Sequence, residues 1–200
     1  MSEPSKPSVG VSVNHLVLNV RDLEASHEFY TGVVGFEQCG AMTHTVTMRF
    51  YRGGPDSHHD LALVQVDHPE SEGPVPEWSL QGTRVGVNHI ALAYPDRESW
   101  LNQLQHLKSR GVQVAIRGNH GMTHSAYVVD PDGYGLELLY NLPAEVWEGD
   151  IDAALNYFEF IPPDSAEALE DRTDYQRFGP DHQPAETVPG KVLAKVPPAR

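Results

Sequence analysis

The sequence predicts an α+β protein built from two βαβββ modules in tandem and closed by a C-terminal helical extension. Three observations carry this reading. Val13-Asn14-His15-Leu16-Val17-Leu18 recurs 74 residues later as Val87-Asn88-His89-Ile90-Ala91-Leu92, the mark of a duplicated unit. Each copy opens on a β-branched and aliphatic run, continues into a helical segment behind an acidic cap, and then breaks into short strand-like runs. Between the copies, residues 68–85 (HPESEGPVPEWSLQGTRV) carry three prolines and two glycines and read as a linker.

In the first module, 11–67, the opening run suits a strand, and Asp22 opens a helix reaching Gly32 or Gly35 with Leu23, Phe29, Tyr30 and Val33 on its buried side. Strands are expected at 36–39, 45–51 and 60–66. In the second module, 86–141, Asp96 opens a helix on which Trp100, Leu101, Leu104 and Leu107 recur at helical spacing, and Gly111 sits where it ends. Strands are expected at 112–116, 125–129 and 135–140. Asn141-Leu142-Pro143 breaks the pattern. The extension, 142–178, begins with an expected helix over 144–158 whose apolar contacts are Val146, Trp147, Ile151, Leu155 and Phe158. Residues 1–10 and 179–200, rich in proline and polar residues, are expected to be mobile.

Composition narrows the function. Fourteen basic residues against 28 acidic ones give a net charge of −14, which repels phosphate backbones and anionic membranes, so nucleic-acid and membrane partners are excluded. No apolar run approaches the roughly 18 residues that span a bilayer, and MSEPSKPSVG lacks the apolar stretch of a secretory signal, so a cytoplasmic protein is expected. The single cysteine, Cys39, leaves neither an internal disulfide nor a cysteine-based zinc site, so a metal here must take His and carboxylate.

Strand parity sorts the candidates. His15 shares a face with Val13 and Val17, and His89 with Val87 and Ala91, while the apolar alternates point the other way to meet the helices. Equivalent histidines in two paired modules would look into one cupped sheet. Glu137 is a carboxylate in an otherwise apolar strand, costly to bury unless paired or bound to metal. Alone, a strand histidine is most often a hydrogen-bonded core or edge residue. Duplicated with its neighbouring asparagine, and joined by Glu137, it completes the two-His, one-carboxylate triad that holds non-haem Fe(II) with three positions open. Mn(II) suits the same ligands.

From about Val11 to Tyr140 the chain resembles the vicinal oxygen chelate superfamily, with its glyoxalase/extradiol dioxygenase fold. Within it, the likeness is to the type I extradiol ring-cleavage dioxygenases of the catechol 2,3-dioxygenase kind. The residues that carry the likeness are Asn14-His15-Leu16-Val17-Leu18, Phe29-Tyr30 running into Gly35-Phe36, His59-Asp60-Leu61-Ala62-Leu63, Asn88-His89-Ile90-Ala91-Leu92, His120-Gly121-Met122-Thr123, and Tyr127 through Asp130-Pro131-Asp132-Gly133 to Glu137. The resemblance implies that His15, His89 and Glu137 are the iron ligands. It implies that His59 is the active-site acid/base, one of the His58–His59 pair being a bystander if both lie on a strand. It further implies that Tyr127 and His120 contact substrate, with His124 the alternative to His120, because the stretch from His120 to Tyr127 is about two residues shorter than in the family. The family's longer members carry a non-catalytic double module before the catalytic one, and this sequence resembles only the catalytic half, followed by the extension.

The implied activity is insertion of both atoms of O2 into a catechol-type diol, in a homo-oligomer. Catechol, alkylcatechol, biphenyl diol and hydroquinone-like rings stay open, with Met48, Phe50, Met122, Tyr140 and the extension as candidate walls. A glyoxalase-like isomerase or lyase on the same fold needs a fourth, carboxylate ligand from the last strand of the first module. The inward positions expected there are Leu61, Leu63 and Gln65, and only Gln65 is polar. A metal-free binding protein of the same fold would leave His15, His89 and Glu137 without a purpose.

Overall fold

The computed structural model describes residues 10–82, 85–165, 170–171 and 177–179. Apart from Gly10 and Gly179, the expectations for the two ends fall outside these residues. The chain divides into two compact units, Met1–Glu72 and Gly73–Arg200.

The first unit runs β1 (Leu16–Val20), α1 (Leu23–Phe29), a π-helical turn (Tyr30–Val34), β2 (Glu37–Met42), β3 (Met48–Arg52) and β4 (Leu61–Gln65). Its sheet has the order β1-β4-β3-β2, with β1 parallel to β4 and the other pairs antiparallel. Asp22 starts α1 by accepting from the Glu24 and Ala25 amides at 2.9 and 3.1 Å. Gly35, at φ 101°, ends the π-helical turn in the left-handed region. Leu18 and Val20 are buried with Leu23, Phe29, Tyr30 and Val33, whereas Val17 is half exposed, as period 2 requires.

The second unit repeats the order: β5 (His89–Ala93), α2 (Arg97–Ser109), β6 (Ile116–Asn119), β7 (Thr123–Val129) and β8 (Gly135–Asn141). β5 and β8 are parallel, and the sheet order is β5-β8-β7-β6 with a fifth strand, β9 (Glu159–Ile161), added at the β6 edge. The two βαβββ modules form the α+β architecture that the repeat predicts. Asp96 caps α2 through the Ser99 amide at 2.7 Å. Trp100, Leu104 and Leu107 are buried with Leu136, Leu138, Ala126 and Val128 on the helix side of the sheet, and Trp100 Nε1 donates to the Leu138 carbonyl. Each of these large apolar side chains contributes about 1.5–3 kcal/mol by leaving water.

Two expectations are corrected. The strand after α2 is Ile116–Asn119, not 112–116: the Val112 amide is spent closing the helix on the Leu107 carbonyl, and sheet pairing begins only with the Ala115 amide on Tyr127. The extension is not one helix but two short ones, α3 (Ala144–Trp147) and α4 (Ile151–Leu155), followed by β9. Gly149 lies against the Phe178 carbonyl, 2.6 Å from where a Cβ would be, and Asp150 leaves helical geometry to cap α4 through the Ala153 amide. Val146 and Ala154 are therefore the buried residues of these helices, while Ile151 and Leu155 are exposed. Among the described residues no helix is long and apolar enough to cross a membrane.

Candidate functional site

β8 turns Leu136, Leu138 and Tyr140 toward α2 and Glu137 to the opposite face. There it registers with Tyr127 of β7 and Ala91 of β5. Glu137 is buried, and its carboxylate is held from several sides. Ser125 Oγ donates to Oε1 at 2.6 Å, His89 Nε2 lies 3.1 Å from Oε2, and His120 Nε2 lies 3.8 Å from Oε1. Burial works to raise its pKa, but hydrogen bonds from His89, Ser125 and Tyr127 outweigh it and keep the carboxyl below its usual value. Glu137 therefore stays ionised in a dry setting.

Asn88 settles the state of His89. Its Nδ2 donates to the Ser79 and Leu80 carbonyls, both at 3.2 Å, and carbonyls only accept, so the orientation of the amide is decided. Its Oδ1 then accepts from His89 Nδ1 at 2.7 Å, which puts the imidazole proton on Nδ1. In neutral His89 the Nε2 lone pair faces the Glu137 carboxylate at 3.1 Å, an arrangement that needs a positive charge between the two. A proton or a divalent cation meets that need, and imidazole with carboxylate is a donor set suited to Fe(II) or Mn(II).

His120 and Tyr127 close the cluster, with the Tyr127 hydroxyl 3.0 Å from His120 Nε2. Burial lowers the His120 pKa against the opposing pull of Glu137, and burial raises that of Tyr127. The linker residue Trp78 stacks on Tyr127 with centroids 5.6 Å apart and donates from Nε1 to the Asn88 carbonyl at 2.7 Å. Gly135 makes room for it, since a Cβ there would lie 2.1 Å from Trp78 Nε1.

In the first unit His15 repeats the contact of His89: its Nδ1 lies 2.8 Å from Asn14 Oδ1. His59 lies with its ring 4.5 Å from that of His15 and 5.2 Å from Phe50. Partial burial, with His58 and His15 as neighbours, lowers the His59 pKa. His59 stands in the loop before β4 and does not open the strand, so His58 does not point away from it: the two Nδ1 atoms are 2.7 Å apart, with His58 the exposed member.

The inward positions of β4 are also corrected. The register pairs Val17 with Ala62, just as Ala91 pairs with Glu137, so Ala62 is the first-unit counterpart of Glu137. Leu61, Leu63 and Gln65 face the other way. Gln65 secures the start of α1, accepting from the Leu23 amide at 2.8 Å and donating to the Arg21 carbonyl. β4, Leu-Ala-Leu-Val-Gln, carries no carboxylate.

His124 and Tyr140, considered above as a substrate contact and a pocket wall, point to the helix side instead. His124 Nδ1 and the Tyr140 hydroxyl reach Asp171 of the extension at 2.6 and 2.5 Å, and the same carboxylate pairs with Arg97 and the buried Arg117. Arg117 also lies 4.2 Å over the Trp100 ring. The second unit thus brings His89, His120, Tyr127 and Glu137 together, and the first unit brings His15 and His59 together. Sequence reasoning missed Ser125, Trp78 and the role of the asparagines, whose only signal was the retention of Asn beside both histidines.

The family model of the Glyoxalase/Bleomycin resistance protein/Dioxygenase superfamily matches residues 12–138. The chain belongs to this superfamily. Within the superfamily, it is 28% identical over 138 residues to a catechol-2,3-dioxygenase of Bacillus subtilis, a match covering 69% of this chain and 44% of that protein. It is 30% identical over 137 residues to a probable lactoylglutathione lyase of Vibrio parahaemolyticus, covering 65% and 91%. The chain thus spans less than half the length of the dioxygenase relative. A solved glyoxylase/bleomycin resistance protein/dioxygenase domain from Frankia shares the fold at a TM-score of 0.53 and 19% identity, covering 68% of this chain and all of that one. Among the described residues, no three His, Cys, Asp or Glu side chains are grouped so as to hold a metal ion.

Proposed function

We propose that this superfamily member is an extradiol ring-cleavage dioxygenase, inserting both atoms of O2 into a catechol-type diol at an Fe(II) held by His15, His89 and Glu137. The observation that carries the reading is the His89–Glu137 pair, whose Nε2 lone pair and ionised carboxylate oxygen, 3.1 Å apart, ask for a cation. A divalent metal there would supply the open positions at which the two diol oxygens and dioxygen meet. Ala62, where the four-ligand lyase reading needs a carboxylate, favours three protein ligands over four.

The protein's own groups then divide the work. Asn88 and Asn14, each beside the Nδ1 of its histidine, leave Nε2 of His89 and His15 as the nitrogen turned to the metal. Ser125 aims the Glu137 carboxylate. His59 takes a proton from the diol and later returns one to the reduced oxygen, as the resemblance implies. Tyr127 and His120, hydrogen-bonded to each other, orient the ring and its remaining hydroxyl proton. The test is anaerobic Fe(II) loading, followed by catechol, an alkylcatechol, biphenyl-2,3-diol or a hydroquinone with O2. One O2 consumed per ring and a yellow product are expected. No oxygen uptake with any of these rings would overturn the reading. In the active protein, His59→Gln is expected to keep the metal and lose about 100- to 10,000-fold in turnover.

A further inference from the structure

The extension reaches the site through glycine. β9 pairs antiparallel with β6, placing Phe160 opposite Gly118 and Glu159 opposite Asn119. Gly118 registers with Ser125, so it lies on the face of the sheet that carries Ser125, Tyr127 and Glu137. A Cβ on Gly118 would lie 2.5 Å from Phe158 Cε2 and 3.1 Å from Cζ, so the Phe158 ring occupies the space a side chain would take. That ring sits 4.9 Å from the His120 ring, which has Tyr127 on another side at 6.0 Å. The turn bearing His120 is fixed by the Gly121 amide on Asn119 Oδ1 and the His120 amide on the Thr123 carbonyl. Gly121 is itself packed on Phe178 so closely that a Cβ would come within 2.9 Å. Backbone bonds thus hold the turn, while the orientation of the His120 ring is set by its hydrogen bond with the Tyr127 hydroxyl and by the rings packed beside it. Phe158 and Phe178 lie beyond 12–138, the stretch the superfamily model matches.

We propose that Phe158, a residue of the extension and not of the superfamily domain, is a positioning residue of the site: seated over Gly118, it keeps the His120 imidazole on Tyr127 with Nε2 turned to Glu137 and makes the aromatic wall against which a planar substrate ring is placed. The statement about substrate rests on the dioxygenase reading, and the statement about His120 does not.

Both parts are tested on the full chain. In metal-free protein, the imidazole nitrogen and proton resonances of His120 are expected to report one fixed tautomer. In Phe158→Ala they should shift and average between tautomers while those of His124 stay in place, and Phe158→Tyr should restore the parent spectrum. In the Fe(II)-loaded protein, Phe158→Ala is expected to raise KM for catechol about 2- to 12-fold, the range of a lost aromatic pair, with kcat changed much less. Gly118→Ala should displace the ring and reproduce both effects, and in Gly118→Ala/Phe158→Ala the added methyl should have no further effect. A merely structural Phe158 would lower the melting temperature and leave the His120 resonances and KM unmoved below the transition, which overturns the proposal. If Phe158→Ala does not fold, Phe158→Leu and Gly118→Ala carry the same measurements. A parent that cleaves no diol, yet whose His120 responds to Phe158→Ala, refutes the dioxygenase reading and supports the positioning role.

Discussion

At residue scale, the tautomer of His89 is decided by the amide beside it. Asn88 is anchored by two backbone carbonyls, so it has only an acceptor to offer His89, and the imidazole has only Nε2 to offer Glu137. A group that accepts from the far nitrogen of a metal-binding histidine typically holds about 10- to 100-fold in metal affinity. Asn88→Ala is therefore expected to weaken Mn(II) binding by that factor with the fold intact, measured by titration calorimetry. Affinity within about twofold of the parent would mean that the tautomer is set elsewhere. This residue also marks a limit of sequence reading. The repeat exposes Asn14 and Asn88 as retained neighbours of His15 and His89, but the job of an amide depends on what its other end binds. That partner is the linker around Ser79 and Leu80, a segment with no period to read.

At element scale, what was legible follows from periodicity and capping. β1, α1, β5, α2, β7 and β8 stand close to where their alternating or 3.6-residue patterns and the caps Asp22 and Asp96 put them. What was not legible depends on long-range pairing. β6 is short and reads Ile-Arg-Gly-Asn, with one apolar residue in four, because Gly118 gives way to Phe158 and Arg117 is buried with a partner 54 residues away. The apolar pattern of the extension suits one helix, and the break escapes it for the same reason: Gly149 and Asp150 interrupt the helix where Gly149 packs on the Phe178 carbonyl and Asp150 caps α4.

The extension is held through Asp171, which pairs in the interior with Arg97, Arg117, His124 and Tyr140. Burial would raise the Asp171 pKa, but hydrogen bonds from His124 and Tyr140 and the charges of His124 and Arg117 outweigh it, so the folded value is depressed. A depressed carboxyl stabilises the fold above its unfolded pKa of about 3.9, and the contribution is lost as pH falls toward the folded value. Asp171→Asn, which takes a carboxylate away from the buried Arg117, is expected to cost about 3–5 kcal/mol. The cost should shrink below about pH 4, as the parent is itself protonated. Denaturant melts across that range check it, and a difference that grows in acid would contradict the assigned shift.

At the scale of the whole molecule, a net charge of −14 complicates any search for a metal, since every divalent cation screens the self-repulsion of so acidic a chain. Stabilisation by metal is therefore not by itself evidence of a centre. What separates the two effects is their dependence on one carboxylate. Glu137→Gln changes the net charge by one unit of 14 and leaves general screening almost untouched, yet it removes the only ionised ligand proposed for the site. A ligand that binds only the folded state adds about 2.7 kcal/mol at 100 times its Kd, which for a chain of this length is about 5–11 °C in melting temperature. Anaerobic Fe(II) or Mn(II) is expected to raise the parent's melting temperature by that amount, and EDTA should reverse it. Mg2+ at equal ionic strength should give only a small rise, because a hard cation takes imidazole poorly. In Glu137→Gln the Fe(II) and Mg2+ curves should coincide. If Fe(II) stabilised the variant as much as the parent, its binding would belong to the acidic surface as a whole and not to the pair of His89 and Glu137.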